Sequence, residues 1–248
     1  DCVNETESIA GNLRKLINTE NSVLNFGHSG FGPLTEYATL KEYLPFEKKI
    51  KNIVWLYYEA NDLISLSNEF KNGDIIFHTS KSSQSQAIQL ATNSKYSHVG
   101  IIYSINNEYF VYEAVQPVKM TPLNDWINRG INGHYVVKRL KNEEEILTLE
   151  TLSKMRQVGE RFKGKDYDIY FEWSDNKIYC SELVWKIYKE STGIEIGELQ
   201  NLSDFDLSSE SVKSIMKKRY GNNIPLDEKV ISPVSMFNSE YLITIDEK

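Results

Sequence analysis

The chain has 248 residues and a formal net charge of −7, and it is long enough to bury a core without disulfide staples. The acidic balance argues against a general nucleic-acid or anionic-membrane binder. No apolar run approaches the roughly 18 residues that cross a bilayer, and two cysteines far apart, Cys2 and Cys180, define no disulfide framework.

Residues 1–72 are polar. Helix-like pieces at "ESIAGNLRKLI" and "KKIKNIVWLYYEANDLISL" flank a glycine-rich turn, "FGHSGFGP". In the second piece Ile50, Ile53, Val54, Tyr57 and Tyr58 follow helical spacing, so a helical N-terminal extension is expected. The chain begins at Asp1 rather than Met, which suggests a processed product in a secreted, periplasmic or cell-envelope setting rather than the cytoplasm. Cys2 is a candidate lipid-anchor site, although Asp1 is not the small residue expected before one.

The pattern changes at "NGDIIFHTS", where a second domain, residues 73–248, is expected. Asn72-Gly73 signals a turn and Ile75–His78 a short strand. "QSQAIQLAT" reads as a short helix with Ala87, Ile88 and Ala91 inward. "SHVGIIYSINNEYFVYEAV" then reads as a hairpin, because Asn tolerates the positive φ of a tight turn. With Asn106 and Asn107 as its loop, Gly100 opposes Glu113 and His98 opposes Val115. Strand side chains alternate, so His98, Gly100 and Glu113 share one face. Glu113 lies on the diagonal from His98, roughly 7 Å away between Cβ atoms, with Gly100 expected to leave open space between them.

Downstream, "TPLNDWINRGI" reads as a short helix anchored by Trp126, and "GHYVVKRL" as a strand. Asn142 is a good N-cap for a helix with Glu143, Glu144 and Glu145 in its first turn. Leu149, Leu152, Met155, Val158 and Phe162 give that helix an apolar stripe that ends at Gly164. "KSIMKKRYG" carries a basic cluster expected on the outer face and last turn of a later helix.

In "IYCSELVWKIY", Cys180, Leu183, Val184 and Ile187 fall on one helical face, with Glu182, Lys186, Lys189 and Glu190 largely elsewhere and off the packed side. Cys180 is therefore on the packed face, where an inert core thiol is the bland reading. Its first-turn position favours a thiolate, since free N–H groups and the helix dipole lower a thiol pKa. The face it occupies is expected to pack on the sheet carrying the hairpin. A thiol, a base and a residue orienting that base form the minimum set for cysteine hydrolysis.

The ordered set of "NGDIIFHTS", "KYSHVGIIY", "VYEAVQPVKM", "GKDYDIYFEWSDNKIYCSELVWKIY" resembles the YiiX/YebB-like group of the NlpC/p60 superfamily of cysteine hydrolases. The likeness runs from about Gly73 to Tyr188. It implies an α+β, circularly permuted papain-like fold, an antiparallel sheet packed on helices. It also implies Cys180 as nucleophile, His98 as base and Glu113 as orienting residue. The superfamily often uses a tyrosine to steady the oxyanion, and here Tyr167, Tyr170 and Tyr179 are the open choices.

Other residues carry weaker signals. His78 shares a strand with Ile76 and is a candidate for lining the cleft, against a buried structural role. Asp166, Asp168 and Glu172 are candidates to meet a cationic substrate group, against simply solvating a loop. His78, His98, His134 and Cys180 lack the spacing of a zinc site, and "FGHSGFG" lacks a phosphate loop's strand, helix and lysine. No metal and no cofactor are expected, and the partner is a small-molecule, peptide or acyl-amide substrate rather than nucleic acid. The reading is an amidase- or peptidase-type cysteine hydrolase. An acyltransferase or lipid hydrolase with the same triad would show a long apolar groove instead of a polar cleft lined by the acids at 166–172. A third reading is a non-catalytic binding module on this scaffold.

Overall fold

In the second half of the chain, short apolar runs alternate with turn residues, and they form a sheet wrapped by helices. The computed structural model describes residues 70–248, together with Lys15, which is helical and exposed. The helical pieces, glycine-rich turn and Cys2 of the expected extension fall outside these residues. Phe70 packs edge-on against Tyr109 at 5.6 Å, and the Asn72 side chain accepts the Ser104 N–H at 2.8 Å.

The strands are β1 (Ile75–His78), β2 (His98–Ile105), β3 (Glu108–Glu113), β4 (Lys119–Pro122), β5 (Val136–Leu140), β6 (Gln200–Asn201), β7 (Lys229–Val230) and β8 (Leu242–Glu247). The helices are α1 (Ser83–Thr92), α2 (Leu123–Arg129), α3 (Glu143–Ile146), α4 (Leu149–Glu160), α5 (Cys180–Thr192), α6 (Glu210–Tyr220) and α7 (Pro233–Phe237). Six strands form one antiparallel sheet in the order β4-β3-β2-β1-β5-β8, and β6 pairs with β7 in a small ribbon. The central strand β1 is buried throughout, as expected of a run apolar on both faces.

Alternation along the strands divides the interior in two. Ile75, Phe77, Val99, Ile101 and Tyr112 face α4 and α5, meeting Met155, Val158, Leu183, Val184 and Ile187. Ile76, Ile102, Val111 and Val137 face the other way and are covered by Leu123 and Trp126 of α2. The hairpin has the expected register, with Ile105 opposite Glu108 and Ile101 opposite Tyr112. Asn106 and Asn107 adopt φ of 52° and 64°, the double positive-φ turn that matches strand twist.

Three sequence expectations need correction. The helix starting at Asn142 is broken: α3 ends after one turn, and α4 restarts behind Thr148, whose hydroxyl accepts the Thr151 N–H at 3.2 Å. Leu149 is consequently 88% exposed instead of contributing to the apolar stripe. In α5 the polar residues Glu182 and Lys186 are also buried. They pair at 2.7 Å, with Lys186 also donating to Asp175 at 2.7 Å. Finally, Gly100 does not leave open space. A Cβ there would sit 2.4 Å from the Val111 side chain and 3.0 Å from the Tyr112 carbonyl. The glycine is needed because β3 crosses it so closely.

Gly100→Ala should therefore push β3 away and carry Glu113 with it. Overpacking of this kind costs about 1–3 kcal/mol, which lowers the melting temperature by roughly 3–10 °C in a domain of this size. Thermal denaturation measures it, and an unchanged melting temperature would show that the crossing relaxes freely.

Candidate active site

Cys180 is the first residue of α5. Tyr179 before it is extended, with φ −104° and ψ 168°. Its N–H donates to the Glu182 carboxylate at 3.4 Å, so the acid three residues on caps the helix start. Ser181 Oγ donates to the Ile231 carbonyl at 2.7 Å, and the Tyr179 hydroxyl accepts the Ile231 N–H at 3.1 Å. These bonds fix the helix mouth against the chain leading into α7.

His98 is the first residue of β2 and Glu113 the last of β3. His98 Nε2 meets Glu113 Oε2 at 2.6 Å, with both side chains buried. The other carboxylate oxygen accepts Thr121 Oγ1 at 2.6 Å and the Arg129 guanidinium. Since an ionised carboxylate only accepts, Nε2 carries its hydrogen and Nδ1 is left to exchange a proton with a neighbour. Burial pulls against ionisation of Glu113, but His98, Thr121 and Arg129 outweigh it and hold its pKa at about 2. Burial likewise works against the imidazolium, but Cys180 and Glu113 outweigh it and lift His98 to about 9.

The Cys180 thiol neighbours His98 and the Val99 and Ser181 N–H groups. Burial opposes the thiolate, yet these neighbours hold the thiol below its ordinary value. The Cys180 face of α5 packs on the sheet carrying the hairpin, as expected, but the three groups come from two layers. His98 and Glu113 share parity with Ile102 and Val111 on the α2 face, whereas Cys180 belongs to the core on the α4–α5 face. Thiol and imidazole come together where β2 begins, at the first residues of the strand and of the helix.

The expected tyrosines separate clearly. Tyr167 is half-buried, bridged to Ile178 two residues before Cys180, and lines the same cavity as the thiol. Burial and the neighbouring Cys180 together push its phenol well above the ordinary value. Tyr179 has its hydroxyl engaged by Ile231. Tyr170 lies edge-on to Tyr220 at 5.7 Å. Asp168 is buried in its own loop, accepting the N–H groups of Tyr170 at 2.8 Å and Glu172 at 2.7 Å. His78 is buried, stacked on Trp126 at 3.8 Å and facing the His98 ring at 5.3 Å. Burial, then His98 and Arg129, drive its pKa down to about 2, so it is neutral.

A cavity opens beside Cys180, between α1, α6 and the loops around residues 202–207 and 230–233. Its walls are mostly apolar, including Ala87, Ile88, Phe171, Leu202, Val212 and Met216. Tyr167 and Tyr179 line it, but His78, Asp168 and Tyr170 do not. Phe171 holds a φ of 55°, costly for a bulky residue, while its ring packs edge-on against Tyr179 at 5.1 Å and lies 5.3 Å from the Arg219 guanidinium.

Sequence reasoning missed Thr121, Arg129, Gln84 and Arg219. Thr121 and Arg129 flank the predicted Trp126 helix, and a basic residue ending a helix carries no local sign that it reaches a carboxylate. Gln84 Nε2 meets the Tyr167 hydroxyl at 3.0 Å, and Arg219 donates to Gln84 Oε1 at 3.0 Å.

Glu113 supplies a prediction. Its folded pKa of about 2 lies below the ordinary 4.5. The stability it contributes is therefore present above pH 4.5 and lost as pH falls towards 2, of the order of 3 kcal/mol in all. Arg129→Gln should weaken the clamp, costing about 1–2 kcal/mol at neutral pH. It should also flatten the dependence of melting temperature on pH between 6 and 3. Parallel curves for variant and wild type would show that Arg129 does not act through Glu113.

The chain's relatives agree with this fold. Residues 69–246 match the family model of the permuted papain-like amidases, the YaeF/YiiX or C92 family. YiiX of Escherichia coli K12, an uncharacterised protein, is 49% identical over 175 residues, covering 71% of this chain and 85% of its own length. The crystal structure of YiiX from Escherichia coli O157:H7, described as a metalloprotein, superimposes with a TM-score of 0.68 at 48% identity. That match covers 72% of this chain and 97% of that one. With an α+β fold and an antiparallel sheet between two helical layers, this chain belongs to the YaeF/YiiX family of permuted papain-like amidases.

Proposed function

We propose that this chain is a cysteine hydrolase cleaving an amide or ester bond through a Cys180 thioester, with His98 as base and Glu113 as the residue that orients it. One observation carries the reading: the 2.6 Å buried bond from His98 Nε2 to Glu113, made by an imidazole whose other side reaches a first-turn thiol. The thiolate attacks the carbonyl carbon and the carbonyl electrons move onto oxygen. Tyr167 and the free N–H groups at the start of α5 donate to that oxyanion. As the tetrahedral intermediate collapses, the bond to the leaving nitrogen or oxygen breaks and His98 Nδ1–H protonates it. Water then attacks the thioester, gives its proton to His98 and releases the acid and the thiolate.

The cavity favours a particular substrate class. Its walls beside Cys180 are apolar, while Asp168, one of the acids expected in a polar cleft, is spent on its own loop. An acyl group with an extended apolar part therefore fits better than a charged peptide. The same feature supports a second reading, in which the acyl group passes from Cys180 to an acceptor other than water. Metal chemistry has no such support. Among the described residues no group of three or more His, Cys, Asp or Glu converges on a metal position, and both Glu113 oxygens are occupied by His98, Thr121 and Arg129. No step is assigned to a metal.

Hydrolysis of p-nitrophenyl esters from acetate to decanoate tests this reading. The rate should rise with chain length and should fall at least 10³-fold in Cys180→Ala. It should climb with pH as the thiolate forms and decline above about 9 as His98 loses its proton. Activity unchanged in Cys180→Ala would end the nucleophile assignment. A rate independent of chain length would remove the apolar acyl site. Adding hexylamine distinguishes transfer from hydrolysis, since transfer yields the amide in place of free acid.

A further inference from the structure

We propose that Arg219 and Gln84 form a one-way hydrogen-bond relay that aims the Tyr167 hydroxyl hydrogen at Cys180 and at the oxyanion that forms there. The inference rests on Cys180 being the nucleophile and adds two positioning residues, from α1 and α6, to the site.

The direction of the chain follows from what each group can do. A guanidinium only donates, so the Gln84 atom facing Arg219, 3.0 Å away, must be its carbonyl oxygen. That choice fixes the amide orientation and leaves Nε2, a pure donor, against the Tyr167 oxygen at 3.0 Å. Tyr167 therefore receives a hydrogen from Gln84, and its own hydrogen is left to point elsewhere in the cavity that it shares with Cys180, beside which the Tyr167–Ile178 bridge holds it. Without Arg219 the amide is free to rotate by half a turn, and the phenol would then donate to the Gln84 oxygen and away from the sulfur.

The surroundings hold the relay in one state. Arg219 is half-buried in the last turn of α6, and its guanidinium lies over the Phe171 ring at 5.3 Å. No carboxylate forms a salt bridge with it among the described residues. Gln84, Tyr167, Cys180 and Arg219 all line the same apolar cavity, where a misdirected hydrogen has little water to compensate it. The ionisable groups acting on Cys180 are His98 from β2, Tyr167 from the loop before α5 and Tyr179 next to it. Beyond them, Glu113 acts on His98, and Arg219 and Tyr179 act on Tyr167.

The test uses the full chain carrying Cys2→Ser, so that Cys180 is the one remaining thiol. Iodoacetamide labelling against pH reads the thiolate directly and needs no turnover, and p-nitrophenyl octanoate hydrolysis reads the oxyanion. Tyr167→Phe should raise the labelling midpoint and slow hydrolysis by roughly 10–100-fold, in the lower range for losing one oxyanion donor. Gln84→Glu, which accepts from both neighbours, should do the same without lowering the melting temperature, because it gains an ion pair with Arg219. Arg219→Met should show a smaller loss that Arg219→Lys restores in part. In a Tyr167→Phe background, Gln84→Glu should have no further effect.

A Gln84→Glu effect that persists in full on Tyr167→Phe would mean a through-space charge, and the relay would be wrong. So would Gln84→Glu and Arg219→Met proteins that label and turn over like wild type while Tyr167→Phe does not. If Gln84→Glu melts early, Gln84→Met replaces it. That variant removes the donor without adding charge, and wild-type labelling in it overturns the relay equally. An unchanged Tyr167→Phe protein would also remove the tyrosine from the proposed mechanism, whereas a Cys180 that never labels would end the nucleophile reading itself.

Discussion

The site depends on keeping a carboxylate ionised out of water. Glu113 is fully buried, and an isolated carboxylate in such a place would take up a proton instead of remaining charged. It stays charged because two strands and a helix bring donors to it. β2 supplies His98, β4 supplies Thr121 and the end of α2 supplies Arg129. The division of the two oxygens matters: Thr121 and Arg129 hold one, leaving the other wholly to His98 at 2.6 Å. A carboxylate held at two points cannot swing, so the imidazole inherits a fixed plane and a fixed tautomer. The backbone imposes the same order, since Gly100 lets β3 pass close enough for Glu113 to reach.

From this arrangement the charges can be followed outward. Imidazolium, carboxylate and guanidinium alternate in sign across the centre, with the Cys180 thiol held below its ordinary value at the imidazolium end. Each buried charge therefore has an opposite neighbour, the condition under which buried ions are tolerated. His78 lies next to His98 in the adjacent strand yet stays neutral, which spares the imidazolium a like charge at 5.3 Å between rings. Trp126 stacks on His78 at 3.8 Å, and burial on this side strengthens the electrostatic contact between His98 and Glu113.

The parts legible in the sequence were those carried by local rules. The hairpin register followed from two asparagines and strand alternation, and the position of Cys180 on α5 from helical spacing. Both operate over a few residues. What was not legible depended on long side chains meeting across the fold. Arg129 reaches Glu113 from the end of the helix that covers the same face of the sheet, and Arg219 reaches Gln84 across 135 residues of chain. "KSIMKKRYG" looked like an outer basic face because three of its cations sit in one turn, and nothing local marks the one that turns inward. The break between α3 and α4 was hidden for a related reason. A continuous apolar stripe and a capping Thr148 both fit helix rules, and only the packing shows that Leu149 belongs outside. Sequence parity put His98 and Glu113 on one face but carried no information on the layer from which Cys180 would come.

That last point explains how one site can combine a charged centre with an apolar binding cavity. Had the thiol come from the α2 layer, the substrate would have had to enter beside Arg129, Thr121 and Glu113, where an apolar group would strand polar atoms. Because Cys180 comes from the α5 layer, the sulfur is reached from the α1–α6 side, where the walls are Ile88, Leu202, Val212 and Met216. The start of β2 is where the two layers meet, and it offers only the imidazole and the Val99 N–H to that side. Apolar binding and buried charge are thus separated by the thickness of one strand. The polar atoms that line the cavity close to the sulfur, Tyr167, Gln84 and Arg219, are bonded to one another in sequence. They hold one another when an apolar group fills the space, and in the proposed relay the Tyr167 hydrogen is the one directed at Cys180.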